Sequence, residues 1–153
     1  MRVDALKAAS RLFIALLCAS GLAFQARAEL PDPAQFGRAM ELGDVHAATR
    51  WLAEGLPPDF EADTMGSGLM IAAWDGNIPL MQVFLERGAN IDHVSRIGEQ
   101  AISLAAWRGH QKAVEWLLDR GASIDPPDKT WGALHYAAFS GNRRIVDLLL
   151  ARG

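Results

Sequence analysis

Apolar positions recur along the chain with a fixed long period. Ala72-Ala73-Trp74, Ala105-Ala106-Trp107 and Ala137-Ala138-Phe139 each run into a glycine two residues on, at Gly76, Gly109 and Gly141, spaced 33 and then 32 residues apart. A second glycine series, Gly55, Gly88, Gly121 and Gly153, follows longer apolar stretches at spacings of 33, 33 and 32. Two registers agree on one period, and a period in this range means stacked copies of one supersecondary unit. Within each copy the apolar residues fall at helical spacing: Ile102, Leu104, Ala105, Val114, Leu117 and Leu118 form one inward set. Ile71, Ala72, Leu80, Val83, Phe84 and Leu85 form the set before it, and Ile145, Val146, Leu148, Leu149 and Leu150 the apolar part of the last. Each unit therefore reads as a short alanine-rich helix, a glycine turn, a longer helix and a second glycine stop. The best-formed copy, residues 98 to 125, sets the frame for the rest.

These motifs resemble the ankyrin repeat. The matches are Ala101-Ile102-Ser103-Leu104-Ala105-Ala106 with Gly109-His110 and Gly121-Ala122, Gly88-Ala89-Asn90-Ile91-Asp92, and Ala133-Leu134-His135-Tyr136-Ala137-Ala138 with Gly141-Asn142. The resemblance covers about residues 33 to 153. It implies an all-α solenoid of about four helix-turn-helix repeats with extended turns, at about 33–59, 60–92, 93–125 and 126–153. The first copy is degenerate, with Ala39-Met40-Glu41-Leu42-Gly43 in place of the alanine-aromatic helix. A terminal repeat faces water on one side, and Arg38, Glu41 and Arg50 fit that place. Asp32 is expected to cap a first helix with Pro33 in its opening turn, and Pro79 falls early in a second helix, where proline is tolerated. Ser67-Gly68-Leu69-Met70 stands where the family has Thr-Pro-Leu-His, and the missing proline predicts a looser start to that helix. Glu99 and Gln100 are expected to enter the first helix of the third repeat. The connection Pro126 to Trp131 is one residue short, which accounts for the spacing of 32.

Residues 1 to 28 read as a signal peptide. Arg2, Lys7 and Arg11 precede 13 largely apolar residues, 12 to 24, and a membrane span needs roughly 20. Ala26-Arg27-Ala28 places small residues where a signal peptidase reads, so cleavage is expected between Ala28 and Glu29. The mature domain, 29–153, is then periplasmic or secreted from a bacterium. A lipoprotein signal at Cys18 would need a small residue where Leu17 stands. A retained membrane anchor is the other alternative. Cys18 is the one cysteine, so the mature chain has no thiol or disulfide.

Charge narrows the partners. The whole chain has 15 basic and 18 acidic residues. Taking away Arg2, Lys7, Arg11, Arg27 and Asp4 leaves 11 and 17, a net of −6. An acidic surface argues against nucleic acid and against docking on anionic lipid.

No catalytic constellation assembles. His46, His93, His110 and His135 lie at no metal-ligand spacing. The resemblance assigns His135 to a structural turn bond and His110 to the Gly-His pair, while His46 and His93 read as surface or turn residues. Gly66-Ser67-Gly68 lacks the strand and lysine of a phosphate loop. The reading is of a non-enzyme that needs no cofactor or metal.

The resemblance instead implies recognition of another protein. The residues two before each first-series glycine, Trp74, Trp107 and Phe139, occupy the position that in the family points into the concave groove. Equivalent positions in a stack are on the order of 10 Å apart, so the rings are expected to line one strip. The strip either binds a partner or packs between repeats. Asp75, Arg108, Arg96 and Glu99 flank it as specificity residues, and Trp131 sits at a turn tip. Trp51 and Trp116 read as packing residues. The apolar last helix around Leu148 to Leu150 gives an alternative, pairing with a second copy. A third reading is an accessory factor supporting a periplasmic enzyme.

Overall fold

The computed structural model describes residues 30–62, 65–126 and 131–153. The signal-peptide reading of residues 1–28 lies outside them. Eight helices form among the described residues, in four pairs: α1 Pro33–Glu41 with α2 Val45–Ala53, α3 Gly68–Trp74 with α4 Ile78–Glu86, α5 Ala101–Arg108 with α6 Gln111–Leu118, and α7 Ala133–Phe139 with α8 Arg143–Arg152. A two-residue antiparallel pair, β1 Glu61–Ala62 and β2 Gly66–Ser67, leads into α3. None of the helices is long and apolar enough to cross a membrane.

Local chemistry sets the ends. Asp32 caps α1, its carboxylate accepting from Gln35 N–H at 2.7 Å, with Pro33 opening the helix. Asp44 does the same for α2 through Ala47 N–H, and Asn77 for α4 through Leu80 N–H, with Pro79 in the first turn. The first helix of each pair ends on a left-handed glycine, Gly43, Gly76, Gly109 or Gly141. The residue after it then donates back five residues along the chain, as in Asn77 N–H to Ala72 C=O at 2.8 Å. Gln100 lies just outside α5 as its N-cap and Glu99 precedes it, so neither enters the helix as expected. Gly98, at φ 84°, turns the chain so that Ser95 and Glu99 pair through their backbones, Ser95 N–H donating to Glu99 C=O at 2.9 Å. This closed tip is what holds Glu99 in place.

The first helices of the pairs, α1, α3, α5 and α7, pack on one another in a row, and the second helices back them. Small residues make the close approach possible: Ala72, Ala73, Ala105, Ala106 and Ala137 are all fully buried. The core runs unbroken from Phe36 and Met40 through Leu69, Phe84, Ile102 and Leu117 to Ile145 and Leu149. Each fully buried Leu, Ile or Phe contributes about 1.5–3 kcal/mol. The start of α3 is not an open site. A methyl group on Gly68 would lie 2.1 Å from the Phe84 ring, so the glycine that replaces the family's proline admits an aromatic ring.

Two polar ladders tie each pair to the next. Asp59 accepts from Asn90 N–H at 2.9 Å, and one repeat on Asp92 accepts from Ser123 N–H at 2.8 Å and its hydroxyl at 2.9 Å. Asn142 Nδ2 donates to Ala106 C=O at 2.9 Å and Trp107 C=O at 3.1 Å in the preceding pair. The side chains of Asn77, His110 and Asn142 lie against Gly43, Gly76 and Gly109 respectively. A methyl group on Gly141, at the end of the series, would meet nothing within 4 Å.

Candidate functional site

The row of first helices presents its last residues side by side. Trp74 ends α3, Trp107 is next to last in α5 and Phe139 ends α7. Trp74 and Trp107 are half-buried, whereas Phe139 is 70% exposed. The rings of Trp74 and Trp107 meet edge to face with centroids 5.5 Å apart. The expected direct step from Trp107 to Phe139 is not how the run continues. Tyr136, one helical turn before Phe139, stacks on Trp107 at 5.3 Å and 27°. Trp131 then meets Tyr136 at 5.8 Å and Phe139 at 5.9 Å, both tilted toward edge-to-face. The strip is thus a contiguous run, Trp74, Trp107, Tyr136, Trp131, Phe139. Trp74, Trp107 and Tyr136 are half-buried between repeats, and Trp131 and Phe139 at its far end are open to solvent. Packing and exposure, set against each other by the sequence, divide the strip between them.

Trp131, at the turn tip, is 53% exposed and touches three rings, the third being His135, stacked at 6.1 Å. His135 is itself exposed. Its ring extends the aromatic cluster, while residues 127–130 of the turn, on which the turn-bonding role implied by the resemblance bears, lie outside the described residues.

The polar residues around the strip divide into engaged and free. Arg108 lays its guanidinium over Trp74 at 4.8 Å, a cation–π contact that covers the ring from outside. Arg96 is exposed, yet its Nε donates to Glu61 Oε2 at 3.0 Å, and His93 Nε2 lies 2.9 Å from Glu61 Oε1. The Glu61 side chain is only 16% exposed. Arg96 and His93 therefore tie adjacent turn tips together through one carboxylate, and His93 is a partner in that tie rather than a plain turn residue. Asp75 is exposed beyond α3. Glu99 is half-buried and accepts a hydrogen bond from the Tyr136 hydroxyl. Burial pushes its carboxyl above the ordinary 4.5, and the tyrosine bond partly offsets this. Burial, then the Glu99 charge and the same bond, push the Tyr136 phenol above 10.0.

Tyr136 is the residue that sequence reading left out. Its signal was available: it lies three residues before Phe139, on the same helical face. The Glu61–His93 pairing also carried a signal, a separation of 32 residues, equal to one repeat. Trp51 and Trp116 pack against the core, as read from the sequence. Each carries an arginine, Arg50 at 5.7 Å and Arg120 at 3.7 Å.

The end of the stack has its own features. Leu150 is 63% exposed, and a shallow cleft of about 230 Å³ is lined by Ala137, Ala138, Gly141, Arg143 and Val146. Among the described residues no group of three His, Cys, Asp or Glu side chains gathers as metal ligands.

A family model described as ankyrin repeats, in three copies, matches residues 69–153, more than half of the chain. No curated protein matches it.

Proposed function

Because the chain belongs to the ankyrin-repeat family, whose repeats generally mediate protein–protein interaction and are typically non-catalytic, we propose that it binds a partner protein along the face of its first helices. One observation carries this reading: the contiguous aromatic run ends in two rings, Trp131 and Phe139, that remain open to solvent. Large exposed aromatics held by their neighbours are pre-ordered anchors, and such residues dominate binding energies. Trp131 and Phe139 are the anchors. Trp74 and Trp107 form the rigid floor, and Asp75, Arg108 and Glu99 set specificity at its margin. Arg96 contributes by fixing the tip. The protein acts after export to the periplasm, with cleavage between Ala28 and Glu29. The partner there is a protein rather than nucleic acid or lipid, and one such partner is an enzyme that it supports.

Affinity capture from a periplasmic extract tests the proposal, comparing the mature protein with a Trp131→Ala, Phe139→Ala variant. Loss of an anchor costs roughly 2 kcal/mol, about 30-fold in affinity. The variant should lose proteins that the parent retains. Equal retrieval by both refutes the reading. Intact mass of the protein recovered from that compartment checks the cleavage position.

The exposed apolar surface of α8 favours a second reading, self-association through that helix. Leu150 is 63% exposed there. Light scattering decides it: a monomer at high concentration excludes the pairing.

A further inference from the structure

Five tryptophans stand in this chain, and three of them carry an arginine of the protein's own. Arg50 lies over Trp51, Arg108 over Trp74 and Arg120 over Trp116. Trp107 and Trp131 have no cation from the described residues. Trp107 is covered by Tyr136 stacked upon it. Trp131 is the more open of the two, at 53% exposure, with His135 stacked on one face and Tyr136 and Phe139 standing against it as walls.

A negative charge is placed beside this open ring. Tyr136 touches Trp131 with its ring and donates its hydroxyl to Glu99. The carboxylate and the indole therefore meet the same tyrosine, one at its hydroxyl and the other at its ring. Among the described residues the neutral Tyr136 hydroxyl is the carboxylate's side-chain partner, and no cation pairs with it. The cations of this face are already engaged, Arg108 on Trp74 and Arg96 on Glu61. Asp75 adds a second negative charge along the same row. An aromatic surface with an under-compensated, part-desolvated carboxylate attracts a cation twice over, through the ring quadrupole and through charge.

We infer that the partner presents a guanidinium, an arginine on an otherwise apolar segment, to Trp131 beside Glu99. This inference rests on the protein-binding reading of the same face. The arginine supplies from outside the contact that the chain supplies to three of its other indoles, and its charge answers the half-buried carboxylate. Its stem lies along Phe139, as long basic side chains bury their methylenes on apolar surface.

The test uses the mature protein and two capped pentapeptides, Gly-Leu-Arg-Leu-Gly and its counterpart with neutral citrulline in place of arginine. Indole N–H resonances report binding at Trp131. The arginine peptide is expected to bind about 10-fold more tightly at neutral pH, the value of a charge-assisted cation–π contact. In Glu99→Gln, where Tyr136 keeps an acceptor, the preference should shrink toward unity. Trp131→Ala should lose the arginine peptide, with far-ultraviolet circular dichroism checking that the variant keeps its helices. Equal binding of the two peptides, or a preference that survives Glu99→Gln, overturns the inference and leaves the protein-binding face standing. Indoles that respond to neither peptide overturn the inference, and the face must then be judged by partner capture alone.

Discussion

The contact of each repeat with the next can be isolated by one pair of substitutions, Gly76→Ala and Gly141→Ala. The two glycines hold the same place in the second and fourth units and nearly the same backbone, with φ of 66° and 75°. Alanine in that left-handed region costs about 1–2 kcal/mol, a term both variants share. The difference lies in the neighbour. At Gly76 the new methyl group would stand 2.7 Å from Cγ and 2.8 Å from Nδ1 of His110, while at Gly141 it meets nothing within 4 Å. Cγ is next to the stem of that side chain, so the ring cannot swing clear without leaving its site. Overpacking of this kind adds about 1–3 kcal/mol. Gly141→Ala should therefore lose about 1–2 kcal/mol and Gly76→Ala about 2–5 kcal/mol. Urea unfolding followed by far-ultraviolet circular dichroism measures both. His110→Ala provides the cycle, since its side chain makes no capping bond to α6 and its contribution is packing. In that background the excess cost of Gly76→Ala should vanish. Equal costs at the two glycines, or an excess that survives His110→Ala, would refute the claim that this side chain links the repeats.

Other consequences follow from the same geometry. Asp92→Ala removes both bonds to Ser123 and should lower stability by about 1–2 kcal/mol, read as a shift in the urea midpoint. Leu117→Ala empties a fully buried site and should cost about 2–5 kcal/mol, measured in the same way. The raised carboxyl of Glu99 binds its proton more tightly in the folded chain than in the unfolded one. Its contribution is thus complete below the ordinary 4.5 and is lost as pH rises through the folded value. Stability of the parent relative to Glu99→Gln should fall from acid to neutral pH, and a constant difference would argue against the burial account.

Much of the helix arithmetic was legible because it depends on local chemistry and period. Asp32 caps the chain's first described helix because an aspartate before Pro33 has an N–H three residues on to accept from. The glycine stops follow from backbone freedom alone. The binding face was less legible. A one-dimensional period aligns like-numbered residues, and so pointed from Trp107 directly to Phe139. The rings instead meet through Tyr136 and Trp131, because a side chain one helical turn away can fill the space between two rows.

By itself the sequence determined the repeat, its length, its helix ends and the identity of the small residues that let helices approach. Each of these is decided within a few residues or by copying one unit onto the next. Only the tertiary structure decided which rings are sealed and which stay open, that Glu61 binds Arg96 and His93, and that Glu99 is part-buried under Tyr136. Those outcomes depend on which side chains from different repeats compete for one space, and no period in the chain records that competition.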